Sequence, residues 1–227
     1  MPGTVNQKAS PRYLQKTNVG FVKKKKVCYF FNFPLDKSHF ITEVRTMKKV
    51  CVFLAEGFEE IEGLTVVDIL RRAGVRVTMV SVMETTAIRG AHGIEVKADV
   101  LFSEMNFADC DMLVLPGGMP GTLNLQNHEG LKELLLSYNK EGKQIAAICA
   151  APSVLGGLGI LRGRTACCYP SFEEKLNAGN VVLEPVAVDG SVTTSRGMGT
   201  AIPFALKLTE RLCGKEKAEE VGMSILF

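Results

Sequence analysis

The run Gln144–Leu161 contains no charged residue and constrains this chain more than any other stretch. Ile145-Ala-Ala-Ile148 is a short apolar segment of the kind that forms a central parallel strand, buried on both faces. It stops at a single nucleophile-capable residue, Cys149. Two small residues follow, and then Pro152 stands where the first turn of a helix would begin. Strand, sharp turn and helix form an elbow that holds the turn residue up at the carboxyl edge of a sheet, where open α/β folds place their ligands. A buried structural cysteine is the ordinary reading of such a residue, and the elbow context reverses it. The helix N-terminus that follows should lower the Cys149 pKa. A membrane span is excluded by Pro152 and by Gly156, Gly157 and Gly159 inside the same run.

At 227 residues, 46% hydrophobic and 22% charged, the chain fits one ordinary globular domain with an appendage. Seven cysteines occur without a CxxC pair, and His39, His92 and His128 lie far apart, so a structural metal site is not expected. The thiols fit a reducing, cytoplasmic compartment. The net charge of +3 is unevenly spread: residues 1–46 carry +7, and the remainder carries −4. The basic excess therefore says nothing about partners of the main domain, and no nucleic-acid site is expected in 47–227.

Residues 1–46 show no sustained period of 2 or 3.6. They contain Lys23–Lys26 and then the apolar Val27–Phe33. A patch for nucleic acid or anionic membrane and a targeting peptide are both open readings. The abrupt change at Met47 favours a disordered tail or an artefact of the start site.

From Met47 onward the pattern is regular. Val50–Ala55 reads as a buried strand, Glu56–Glu60 as a turn, and Ile61, Leu64, Val67 and Leu70 as one helix stripe that stops at Gly74. Val75–Val80 completes a βαβ unit. Residues 88–100 suggest an irregular strand or hairpin, and Cys110–Leu115 a buried strand ending in Pro116-Gly117-Gly118. Leu131, Leu134 and Leu135 mark a helix that stops near Gly142, with His128 on its surface. After the elbow come a strand at Thr165–Cys168, a short helix at 172–177, and strands near 180–183, 185–189 and 191–195. A long helix carries Ala201, Phe204, Ala205, Leu208 and Leu212, and a short one covers 214–223. Alternating strands and helices imply a parallel sheet covered on both faces, and a flavodoxin-like fold is expected.

Four strand ends then meet at one edge. They deliver Glu59, Glu60 and Glu62; Gly117-Gly118; Cys149; and Ser195-Arg196-Gly197. A thiol, a carboxyl group and backbone N–H donors are the parts for covalent attack on a carbonyl. Acids in a first helical turn ordinarily just complement the helix dipole. Glu62 stands apart because it lies inside the helix start, where burial would raise its pKa and keep it protonated. A Pro-Gly-Gly turn alone is weak evidence, and no phosphate loop is present.

Glu-Gly-Phe-Glu59-Glu60-Ile-Glu62, Leu-Pro-Gly117-Gly118, Ala-Ile-Cys149-Ala-Ala-Pro and Thr-Ser-Arg196-Gly-Met-Gly-Thr together resemble the ThiJ/PfpI superfamily, in the branch of the parkinsonism-associated deglycases and their bacterial relatives. The resemblance runs nearly end to end over 47–227 and does not touch 1–46. It implies a flavodoxin-like (class I glutamine amidotransferase-like) three-layer sandwich and a homodimer. It also implies an oxidation-prone nucleophile at Cys149, a protonated Glu62 touching it, and backbone donors from Gly118 and Ala150, with Gly117 alongside. Glu59, Tyr169, Arg196 and His92 are candidates for the pocket, His92 through the partner subunit or else as a plain loop residue. No cofactor or metal is implied. The implied activity is a glyoxalase or deglycase acting on methylglyoxal, other α-dicarbonyls, or their early adducts on proteins and nucleotides. A redox-regulated chaperone is the second expectation. A thiamine-thiazole role lacks a phosphate motif, and a cysteine peptidase lacks the histidine that such relatives carry where this chain has Ala150. Some members also place a histidine where this chain has Tyr169-Pro170.

Overall fold

The computed structural model describes residues 47–227, so every expectation for 1–46 lies outside the described residues. The first half runs β1 (Lys49–Leu54), α1 (Glu60–Arg72), β2 (Arg76–Ser81), β3 (Ala87–Arg89), β4 (Glu95–Lys97), β5 (Val100–Leu101), β6 (Met112–Leu115), α2 (Gly121–Asn127) and α3 (Glu129–Glu141). The second half runs β7 (Gln144–Ile148), α4 (Pro152–Gly157), β8 (Thr165–Ala166), β9 (Asn180–Val181), β10 (Val186–Asp189), β11 (Val192–Ser195), α5 (Ala201–Cys213) and α6 (Lys215–Ser224).

Seven strands form the main sheet in the order β10-β11-β7-β6-β1-β2-β5. All neighbours pair in parallel except β10, which closes one edge antiparallel to β11. Alternation along β1 shows how the layers arise. Val50, Val52 and Leu54 face a core shared with Val66 and Leu70 of α1 and Phe204 and Leu208 of α5. Cys51 and Phe53 face the opposite core, with Leu125 of α2, Leu131 and Leu135 of α3, and Val154 and Leu155 of α4. A strand with apolar residues at both parities must be covered on both faces, and the result is the flavodoxin-like sandwich. Gly74 and Gly142 stop α1 and α3 in the left-handed region, at φ +80° and +69°, as the stop signals predict.

Several local readings are sharpened. The segment 88–100 is a true antiparallel hairpin of β3 and β4, followed by the short β5. The expected helix at 172–177 is a single 3₁₀ turn, Glu173–Leu176. Helix α2 was not foreseen. His128 is not a surface residue within a helix: it is the half-buried N-cap of α3, its Nδ1 accepting the Leu131 N–H at 3.0 Å. No helix among the described residues is long and apolar enough to cross a membrane.

Candidate active site

Because β1, β6, β7 and β11 run parallel, their carboxyl ends converge on one edge. Strand β7 ends at Ile148, and Cys149 turns the chain with φ 65°, a left-handed conformation that non-glycine residues rarely adopt. Both sides hold it there. The Cys149 N–H donates to Ser195 O of β11 at 3.0 Å, and the Tyr169 N–H donates to Cys149 O at 2.8 Å. Pro152 then opens α4, as the sequence predicts.

Glu62 comes from the first turn of α1 and is 1% exposed, so complementing the helix dipole is not its whole role. The Gly117 N–H donates to Glu62 Oε2 at 2.9 Å, and the carboxyl group also bonds to the Cys149 thiol. Gly117 is fitted to this spot by its missing side chain. A Cβ there would lie 2.6 Å from Cys149 Cβ and 2.7 Å from Glu62 Oε2. The sulfur in turn receives the backbone N–H groups of Ala150 and Gly118.

The electrostatics differ from the sequence expectation at one point. The helix start was expected to lower the Cys149 pKa, and the Ala150 and Gly118 amides do act in that direction. Burial and then the neighbouring Glu62 charge outweigh them, and the thiol is pushed up to about 12. Burial likewise pushes Glu62 up to about 7, against the hydrogen bonds from Cys149 and Gly117. At neutral pH Glu62 therefore sits close to its own midpoint, poised to take or give a proton.

This shift has a measurable consequence for stability. Glu62 titrates near 7 in the folded chain and near its ordinary 4.5 when unfolded, so the folded state binds the extra proton between these values. The stability that Glu62 contributes is complete below pH 4.5 and is lost as pH rises through 7, on the order of 3 kcal/mol. Urea unfolding at pH 5 and pH 8 should show this decline in the wild type, and Glu62→Gln should flatten it. An unchanged slope in the variant would show that Glu62 is not the group responsible.

The other sequence candidates divide. Glu59 joins the site: its N–H donates to Gly117 O at 2.9 Å, and its charge helps raise Glu62. Tyr169 also joins, since its ring lies against Gly197, where an added Cβ would be 3.2 Å from the ring and 3.9 Å from Glu62 Oε1. Gly117 does not act as a free donor beside the sulfur, because Glu62 occupies its N–H. Arg196 sends its guanidinium to Leu183 O at 3.4 Å and lies within electrostatic reach of Cys167 and Cys168.

His92 packs on a different carboxylate. Its Nδ1 lies 2.9 Å from Glu60 Oε2 and 3.6 Å from Glu59, while its N–H donates to Glu60 Oε1 at 2.8 Å. Burial works to raise the Glu60 pKa, but the His92 ring and the amides around it prevail and hold it below the usual carboxylate value. Glu59, Glu60 and His92 bring potential cation ligands within 4.8 Å of one another. Spacing arguments could not find this group, since His92 lies 32 residues from Glu60. The Glu60 oxygens already accept from His92 and from the Ile94 N–H, so the cluster works as an internal clamp on the loop after β3.

The fold and site together define an α/β sandwich with a left-handed cysteine at a strand-to-helix elbow beside a buried carboxyl group. The chain belongs to the DJ-1/PfpI family, whose profile matches residues 48–211. Protein DJ-1 homolog B of Arabidopsis thaliana is 42% identical over 177 residues, covering 77% of this chain. The chain spans only 40% and 47% of the lengths of this protein and its Arabidopsis homolog A. The glutathione-independent glyoxalase DJR-1.2 of Caenorhabditis elegans is 35% identical over 167 residues, covering 73% of this chain and 89% of that one. Among solved structures, oxidized Toxoplasma gondii DJ-1 superposes with a TM-score of 0.77 at 40% identity, covering 79% of this chain and 98% of that one.

Proposed function

We propose that this protein is a cofactor-independent glyoxalase and deglycase that uses Cys149 as nucleophile. Its substrates would be methylglyoxal, other α-dicarbonyls, or their early adducts on proteins and nucleotides, in defence against carbonyl and oxidative stress. The observation that carries this reading is the buried Glu62 carboxyl group bonded to a half-buried thiol that also receives two backbone N–H groups. The similarity to the nematode glyoxalase supports it.

The chemistry follows from the order of the two pKa values. The thiol holds its proton at rest, and Glu62 is the stronger acid of the pair. As sulfur attacks the aldehyde carbon of methylglyoxal, the S–C bond forms and the carbonyl π pair moves onto oxygen. The thiol proton passes to the Glu62 carboxylate and from there to the new alkoxide, giving a hemithioacetal. The amides beside the sulfur are donors available to the developing negative charge. The proton on the former aldehyde carbon then moves by way of an enediol to the neighbouring carbon, again through Glu62. The first carbon is oxidised to a thioester and the second reduced to an alcohol. Water cleaves the thioester, releasing lactate and restoring the thiol. The sum is one methylglyoxal plus one water giving one lactic acid. In the deglycase form the sulfur attacks the carbinol carbon of an early adduct: the S–C bond forms, the C–N bond breaks, and the amine leaves with the thiol proton, giving the same hemithioacetal.

The test is lactate formation from methylglyoxal by freshly reduced protein without glutathione. Turnover above the buffer rate is the expected result. Its absence overturns the glyoxalase reading and favours the second one, a chaperone or sensor switched by oxidation of Cys149. That second reading is supported by the relative whose structure is described as oxidized. We further propose a homodimer, the assembly implied by the family to which the chain belongs. A monomer in sedimentation equilibrium would refute it.

A further inference from the structure

We propose that Cys51 and Cys110 form a second redox site, a dithiol that hydrogen peroxide converts into an intramolecular disulfide without any involvement of Cys149. The two residues lie 59 positions apart in the chain, yet their sulfurs are 3.3 Å from each other. Cys51 is near the start of β1, and Cys110 stands two residues before β6, the strand paired beside it. This is the amino-terminal end of those strands, opposite the edge that carries Cys149. Forming a disulfide of about 2.05 Å requires the sulfurs to close by about 1.3 Å.

Two further observations make the pair a site. A cavity of about 250 Å³ opens beside it, lined by Lys49, Arg76 and Asp109 as well as by the two cysteines, so a peroxide-sized oxidant has a path to sulfurs that are otherwise buried. The two thiols are also inequivalent. The Cys51 thiol, hydrogen-bonded to its neighbour and buried, is pushed well up, whereas the Cys110 thiol is drawn down by its hydrogen bond with Cys51. In the proposed reaction Cys110 is the sulfur that attacks and Cys51 the one that resolves; the reverse assignment gives the same disulfide.

The steps balance. The Cys110 thiolate attacks one peroxide oxygen, so that an S–O bond forms, the O–O bond breaks, and the departing hydroxide takes a proton to become water. The Cys51 sulfur then attacks the Cys110 sulfenic acid. The S–S bond forms, the S–O bond breaks, and the second hydroxide leaves as water with the Cys51 proton. Two thiols and one hydrogen peroxide give one disulfide and two waters.

The experiment uses the full chain carrying Cys149→Ala, treated with hydrogen peroxide, quenched, alkylated and mapped under non-reducing conditions. The expected result is a mass loss of about 2 Da and a peptide linking Cys51 to Cys110 that dithiothreitol separates. The linked peptide should be absent from Cys51→Ser and Cys110→Ser. Should those variants fail to fold, mapping of the Cys149→Ala and wild-type proteins decides the matter alone. Recovery of both cysteines as alkylated thiols, after exposure that fully oxidises Cys149 in the wild type, would overturn the proposal. So would a link that forms only in urea. Neither result bears on lactate formation, so this site and the glyoxalase reading fail independently.

Discussion

Cys149→Ala is expected to abolish lactate formation, with a loss of at least roughly 10⁴-fold in kcat/KM, or about 5.5 kcal/mol of transition-state stabilisation. No other group at the site can form the S–C bond, so the residual rate should be that of binding and donors alone. Glu62→Gln keeps an acceptor for the Gly117 N–H but cannot take a proton from the thiol. Its expected loss is smaller, roughly 10²–10⁴-fold in kcat. The two changes should be far from additive, because the thiol and its proton acceptor work as one unit. Circular dichroism should show both variants folded, as the alanine removes only one half-buried atom. Full activity in Cys149→Ala would end the covalent mechanism. A pure KM effect in Glu62→Gln would reduce Glu62 to a binding role.

The second large effect is on folding. Gly118 has φ +89°, and an added Cβ would stand 2.3 Å from the Glu59 backbone nitrogen and 2.6 Å from Gly57 O. Those are main-chain atoms of the turn that launches α1, so they cannot move aside as a flexible side chain could. Gly118→Ala should therefore cost roughly 3–5 kcal/mol, lowering Tm by about 10 °C. Gly142→Ala is the matched control. Its φ of +69° is also left-handed, but a Cβ there meets nothing within 4 Å. It should cost only about 1–2 kcal/mol, the conformational term by itself. Equal losses in the two variants, read by thermal unfolding, would show that crowding at Gly118 has been overstated.

The sequence makes β1, α1, β7 and α5 legible because each is governed by local rules, a continuous apolar run or a stripe of period 3.6 with its stop signal. Cys149 is legible for the same reason, since strand, nucleophile, small residues and Pro152 are contiguous. Glu62 could be singled out by its place inside the helix start, but its contact with the thiol is a tertiary fact. Local signals give out in three ways. Helix α2 follows Gly117, Gly118 and Pro120, which read as loop. The thiol pKa was expected low because the helix start is visible in sequence, whereas the burial and the carboxylate that override it are not. The Cys51–Cys110 and His92–Glu60 pairs join residues dozens of positions apart, so no spacing rule reports them.

The left-handed backbone at residue 149 has an implication for how such a chain ages. Holding a Cβ at φ 65° costs on the order of 1–2 kcal/mol, a strain held in place by the main-chain bonds to Ser195 and from Tyr169. Glycine at this position would release the tension, so Cys149→Gly should unfold later than Cys149→Ala even though both are inert. A descendant no longer selected for the reactivity of its thiol would be free to drift toward glycine or asparagine here while every layer of the sandwich stayed intact. The identity of this one residue would then record whether chemistry is still being asked of the fold.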